Sequence, residues 1–173
     1  TLIILGANPV YDAPADLGFP ELLATVATSA HLSLYDNETS SKCKWHLPKA
    51  HYLESWGDAR SWDGTVGIQQ PLILPLFGGR SSVELVAMLC GEKAPDARAL
   101  VRSTHTQDEA QFRQALHDGL IAGSELPALN LMPKPPAEIL TPGNSSGFEI
   151  RFVPDQSVYD GRFANSGWLQ ELP

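Results

Sequence analysis

The chain has 173 residues, 43% hydrophobic and 18% charged, a size and polarity that suit a globular domain with a real core. Its 20 acids against 12 bases give a net charge of −8, and no Lys/Arg cluster offers a footprint for nucleic acid or an acidic membrane surface. No apolar run is long enough to insert directly into a membrane.

Residues 1–92 read as α/β. Leu2-Ile3-Ile4-Leu5 is a buried strand that runs into the loop Gly6-Ala7-Asn8-Pro9. It lacks a basic flank, so it is not a targeting signal. Pro20 and Glu21 open a helix with Leu22, Leu23 and Val26 as its apolar face, since Pro fits the first turn and Glu suits the N-terminal dipole. His31-Leu32-Ser33-Leu34-Tyr35 predicts a second strand, which makes a βαβ unit and a parallel sheet. From Glu38 to Arg80 there is little periodicity and many aromatic and turn residues. Gln70-Pro71-Leu72-Ile73-Leu74-Pro75 is extended, because each Pro disfavours the helical region for its predecessor. Ser81-Ser82-Val83-Glu84 is a capping box for a helix with Val83, Val86, Cys90, Leu85 and Leu89 at helical spacing, stopped by Gly91.

Residues 93–122 form a helical extension. Residues 97–101 continue the preceding fold, and Thr106-Gln107-Asp108-Glu109 caps a helix with Phe112, Ala115 and Leu116 inward. Residues 123–147, with Pro127, Pro133, Pro135, Pro136 and Pro142, predict a linker or an irregular surface wrap. Residues 148–173 begin with the alternating strand pattern Phe148-Glu149-Ile150-Arg151-Phe152-Val153. The abrupt start and the ending at Trp168-Leu169-Gln170-Glu171-Leu172-Pro173 suggest a piece of a longer polypeptide, with apolar surface left for self-association.

In order along the chain stand Gly6-Ala7-Asn8-Pro9, Glu38-Thr39, Leu47-Pro48, Glu54 with Gly57, and Gly78-Gly79-Arg80 ahead of a helix. This ordered set resembles the third structural region of the molybdopterin oxidoreductase family. Trp45-His46-Leu47-Pro48, the run from His51 to Asp58, and Asp160-Gly161-Arg162-Phe163-Ala164-Asn165 are similar to one subgroup, the iron–sulfur subunit of alternative complex III and its relatives. The resemblance implies that Gly6, Asn8, Pro9, Glu54, Gly57 and Gly64 lie near a pterin dinucleotide in a cofactor-binding parent. Trp62, Asp63, Gly64 and Thr65 stand where many relatives carry Asn and Glu-Gly-Arg, and the missing Arg removes a phosphate clamp. That subgroup is regarded as having lost molybdenum and kept iron–sulfur clusters. The resemblance therefore implies a scaffold without catalysis or cofactor of its own. The parent would sit in a bacterial respiratory complex, exported or membrane-associated, with its own other domains and electron-transfer subunits as partners.

Other readings compete. Cys43, His46, His51 and Glu54 are metal-ligand types, but Pro48 interrupts them and no second ligand pair follows, so no metal is expected. Ser55, His51 and Asp58 lack a nucleophile elbow. Trp45, Trp56, Trp62 and Tyr52 either core a loop region or line an interface, which makes a protein-interaction module the rival from another class. Cys43 and Cys90 are too few for an iron–sulfur cluster, and their spacing leaves a disulfide open.

Overall fold

Four aliphatic residues with no charge and no proline make β1 (Leu2–Leu5), and a parallel sheet grows from it. The computed structural model describes residues 1–106, 108–132, 134, 147–148, 150 and 152–171. In it β1 pairs in parallel with β2 (Ser29–Ser33), and β2 with β3 (Trp45–Pro48), in the order β1-β2-β3. Two short helices, α1 (Pro9–Asp12) and α2 (Phe19–Thr25), fill the β1–β2 crossover, and α3 (Glu38–Lys42) fills the next one. The class is α/β with a small parallel sheet, as the βαβ pattern predicts.

The details differ from the expectation in physical ways. β2 begins two residues earlier than His31 and stops at Ser33, while Leu34 and Tyr35 are exposed as the chain turns toward α3. The apolar pair misled because the strand's buried face carries hydroxyls. Helix α2 starts at Phe19, with Pro20 in its first turn, and of its expected apolar face Leu23 is buried while Leu22 is exposed. Seven residues supply less than two full inward turns.

A second sheet was not expected. β4 (Gly57–Arg60), β5 (Val66–Gln69) and β6 (Leu120–Ile121) pair antiparallel in that order. Its first strand, Gly-Asp-Ala-Arg, has no large apolar side chain, so no alternation announces it. Ile68, Val101, Phe112 and Ala115 form the core under this sheet, with Trp56, Leu116 and Ile121 packed against it. Helix α4 (Ser82–Leu89) carries the expected capping box, Ser81 accepting from the Glu84 N–H and Glu84 from the Ser81 N–H. Its Val83 and Val86, however, face outward, and Ala87 is the buried residue.

Helix α5 (Ala97–His105) meets α6 (Glu109–Asp118) through Glu109, which pairs with Arg98, Arg102 and Arg113. Hydrogen bonds from Arg98 and then Arg102 pull the Glu109 carboxyl down to about 2. The cap of α6 is Asp108, which accepts from the Ala110 N–H, and not Thr106, which ends α5. Leu116 is half-buried, and the helix stops at Gly119 with φ +76°.

Contacts divide the chain into residues 1–126 and 127–173, within the Pro/Gly-rich stretch, and residues 93–122 belong to the first unit. In the second unit α7 (Gly167–Glu171) follows a turn-rich segment where Arg162 grips the buried Asp160 and lies over the Tyr159 ring. The strand expected around residues 148–153 is not formed by its described members. Phe148, Ile150, Phe152 and Val153 are exposed, and an alternating pattern becomes a strand only where a sheet edge receives it. Glu149 and Arg151 lie outside the described residues, as do Pro133, Pro135, Pro136 and Pro142 of the expected wrap and Leu172 of the tail. Cys43 and Cys90 are free thiols.

Candidate functional site

Parallel strands deliver their connecting loops to one edge, the usual ligand-receiving edge of α/β sheets. Here that edge gathers residues 6–8 after β1, 34–37 after β2 and 49–51 after β3. Gly6 turns the chain with φ +75°, and a Cβ there would stand 3.0 Å from the Lys49 ammonium nitrogen. Pro9 opens α1, where its missing N–H costs nothing.

Asn8 is wholly buried and joins the first of these loops to the start of α3. Its Oδ1 accepts from the Thr39 hydroxyl at 2.7 Å and the Thr39 N–H at 3.2 Å, and its Nδ2 donates to Glu38 at 2.8 Å. The Thr39 hydroxyl oxygen in turn accepts from the Val10 N–H at 3.1 Å. The Asn-Pro loop and the acid–Thr pair, separate features in sequence, thus form one latch. Beneath it lies a polar core: Ser29, His31, Ser33, Thr39 and Ser40 are all buried. Such a layer is costly unless satisfied, and its bonds fix one arrangement. The signal for it was present, because Ser29, His31 and Ser33 occupy one face of β2 at alternate positions. Neither His31 nor Ser40 belongs to a sequence motif that would mark it as a site residue.

His31 is fully buried, with Nδ1 2.8 Å from the Ser40 hydroxyl oxygen and Nε2 without a hydrogen-bond partner. The same oxygen lies 2.9 Å from Nδ1 of the exposed His46. Burial pushes the His31 imidazole below its ordinary 6.5, opposed by the Ala7 backbone and aided by the His46 ring. In acid the unfolded chain therefore binds a proton that the folded ring resists. Stability contributed by neutral His31 is complete above pH 6.5 and falls as pH drops from there toward the lowered folded value. Urea unfolding at pH 5 and 7.5 should show wild type weaker in acid, and His31→Gln should shrink that difference. An unchanged difference would remove His31 from the account.

The other residues implied by the resemblance belong to the second sheet and its approach. Glu54 accepts from the His51 N–H at 3.0 Å and the Leu76 N–H at 3.3 Å, so it ties Leu76 to the turn at residues 51–54. Gly57 starts β4 opposite Gln69. Gly64 sits in the β4–β5 turn with φ +90°, and a Cβ would come 2.7 Å from the Leu126 backbone nitrogen and 2.5 Å from its Cγ. Trp62 and Asp63 share that turn, where Asp63 accepts from the Thr65 N–H at 3.0 Å. Hydrogen bonds from Ser61 first, then Thr65, hold the Asp63 carboxyl below the usual range.

Cys43, His46, His51 and Glu54 do not converge: His46 bonds Ser40, and His51 caps its own turn by accepting from the Leu53 N–H at 3.3 Å. Burial first, against a Ser29 hydrogen bond, raises the Cys43 thiol. Among the described residues no three His, Cys, Asp or Glu side chains gather as a metal site. The Ser55 hydroxyl donates to the His51 backbone carbonyl at 3.1 Å, and Asp58 pairs with His105, so these three make no triad. Trp56 packs with its ring centroid 6.3 Å from that of Phe112, whereas Trp45 and Trp62 are exposed. A pocket of about 280 Å³ beside α1 and α2, lined by Pro9, Tyr11, Pro14 and Phe19 among others, is at the small end for cofactor sites. Comparison with known proteins finds no family model that matches the chain and no curated protein similar to it.

Proposed function

We propose that the chain is a scaffold element of a molybdopterin-oxidoreductase-like electron-transfer subunit, without catalysis of its own. In this reading the parent belongs to a bacterial respiratory complex, exported or membrane-associated, and carries its iron–sulfur clusters elsewhere. The observation that carries the reading is the engagement of Asn8, whose amide is spent on Thr39 and Glu38 inside the fold. Glu54 is likewise spent on two backbone N–H groups. Residues that would touch a pterin in a cofactor-binding relative act here as internal braces, which favours scaffold over cofactor contact.

Molybdenum and pterin content of the longest native polypeptide that contains this sequence tests the reading. The expected result is neither in the wild type, with Asn8→Ala lowering only the melting temperature. Stoichiometric pterin that disappears in a folded Asn8→Ala variant would replace scaffold by cofactor contact.

A second reading, an interaction module, is favoured by one further observation. Leu72, Ile73, Leu74, Leu76 and Phe77 are exposed on a loop whose backbone is anchored to Leu53 and Glu54. A consecutive exposed apolar run is the kind of surface that binds other protein surfaces or a second copy.

A further inference from the structure

Prolines punctuate the crossover between β1 and β2 and stiffen a cavity there. Pro9 opens α1, Pro14 precedes a single 3-10 turn at Ala15–Leu17, and Pro20 lies in the first turn of α2. Proline locks φ, so these walls are largely set before any ligand arrives. Gly18, with φ +54°, turns the chain between the 3-10 turn and α2. The cavity of about 280 Å³ is lined by these prolines together with Tyr11, Phe19 and Glu21. That volume suits one long side chain better than a cofactor.

The lining combines two chemistries. Tyr11 and Phe19 supply aromatic rings beside the proline rings, and Glu21 is the charged residue among them. Its carboxylate folds back over Gly18, where Oε2 lies 3.5 Å from the place a Cβ would take. Among the described residues no ion pair engages Glu21, nor Asp12 or Asp16 close by in sequence. Residues 1–41 hold Asp12, Asp16, Glu21, Asp36 and Glu38 but no Lys or Arg. The local field therefore favours a cation.

We propose that this cavity receives an arginine side chain from a partner protein. A guanidinium is flat, stacks on aromatic faces, forms paired hydrogen bonds with a carboxylate and sheds water more readily than an ammonium. The aromatic and proline walls match its plane and stem, and Glu21 matches its charge. An anion is repelled by the same carboxylates, and a purely apolar side chain would leave Glu21 without a partner at the cavity. The proposal goes beyond the scaffold reading and does not depend on it.

The full chain, labelled with nitrogen-15, is titrated at neutral pH and low salt with a blocked Gly-Arg-Gly peptide. Amide signals of Tyr11, Gly18, Phe19 and Glu21 should move together, with a dissociation constant on the order of a millimolar. Citrulline in place of arginine keeps the shape, removes the charge and should weaken binding roughly tenfold. Lysine should bind more weakly than arginine, and norleucine should leave these signals in place. Glu21 is exposed, so Glu21→Gln should fold normally and lower arginine affinity roughly tenfold. Phe19→Leu should lower it roughly threefold. The peptide comparisons need no variant, so they decide the matter should Phe19→Leu fail to fold. Unmoved signals at these residues, citrulline or lysine equal to arginine, or unchanged affinity in Glu21→Gln each overturn the proposal. A norleucine peptide that binds as well as arginine overturns it too, and makes the cavity an apolar subsite.

Discussion

Replacing Phe112 by alanine is expected to lower the unfolding free energy of the first unit by about 3–5 kcal/mol. Phe112 is completely buried, and Ile68, Val101 and Ala115 surround it as the core of the second sheet. Cutting the ring away removes its transfer free energy and leaves a cavity that α5, α6 and β5 fill only by distorting. The Arg98 guanidinium over the ring, 5.1 Å from its centroid, loses a partner as well. Domains of this size are stable by only about 5–15 kcal/mol, so the loss is a large share of the whole. Trp56 reports on the site directly, because its ring packs on Phe112. Urea unfolding followed by tryptophan fluorescence should move to lower denaturant, and Phe112→Leu, which keeps most of the volume, should move it much less. A loss below about 1 kcal/mol would place the unit's stability outside this core.

The sequence announced this core only in part, for a reason visible in its residues. Phe112, Ala115 and Leu116 sit at helical spacing, so their inward face was legible without any partner. What they pack on was not. The strands that receive them are four residues long or shorter, and β4 carries Gly, Asp, Ala and Arg. Pairing there comes from backbone bonds and the tight turn at Gly64, whose need for glycine is set by its φ of +90° and by Leu126, sixty-two positions away. The first sheet shows the reverse case. Aliphatic β1 and the intervening prolines declared a βαβ unit, but the buried face of β2 is Ser29, His31 and Ser33, and a search for apolar faces passes over it. Gly6, Asn8 and Glu38-Thr39 stand in the sequence as separate motif members. Their common purpose, one latch, depends on a crossover of thirty residues that no local spacing reveals.

That latch yields the second large effect. Asn8→Ala removes the acceptor for both the Thr39 N–H and the Thr39 hydroxyl, in a place with no water contact for either. Each buried group left unpaired costs about 1–3 kcal/mol, and the hydroxyl can partly re-aim, so a total of about 2–4 kcal/mol is expected. Glu38 is exposed and regains water, so its lost bond adds little. Asn8→Asp separates geometry from charge. It keeps an acceptor for Thr39 but sets a second carboxylate where the amide had donated to Glu38 across 2.8 Å. Burial and like charge both raise the folded pKa of the introduced carboxyl above its unfolded value of about 3.9. Its penalty is therefore small in acid, where the group is protonated in both states, and grows as pH rises through the unfolded value. Measured against wild type at each pH, Asn8→Asp should lose stability toward neutrality, while Asn8→Ala should show a nearly constant deficit. Wild type itself weakens in acid through His31, so only the difference between variant and parent is diagnostic. A flat difference for Asn8→Asp would mean that neither burial nor the Glu38 charge acts on this position in solution. A negligible loss in Asn8→Ala would mean that the first loop and α3 are held together by something other than the latch.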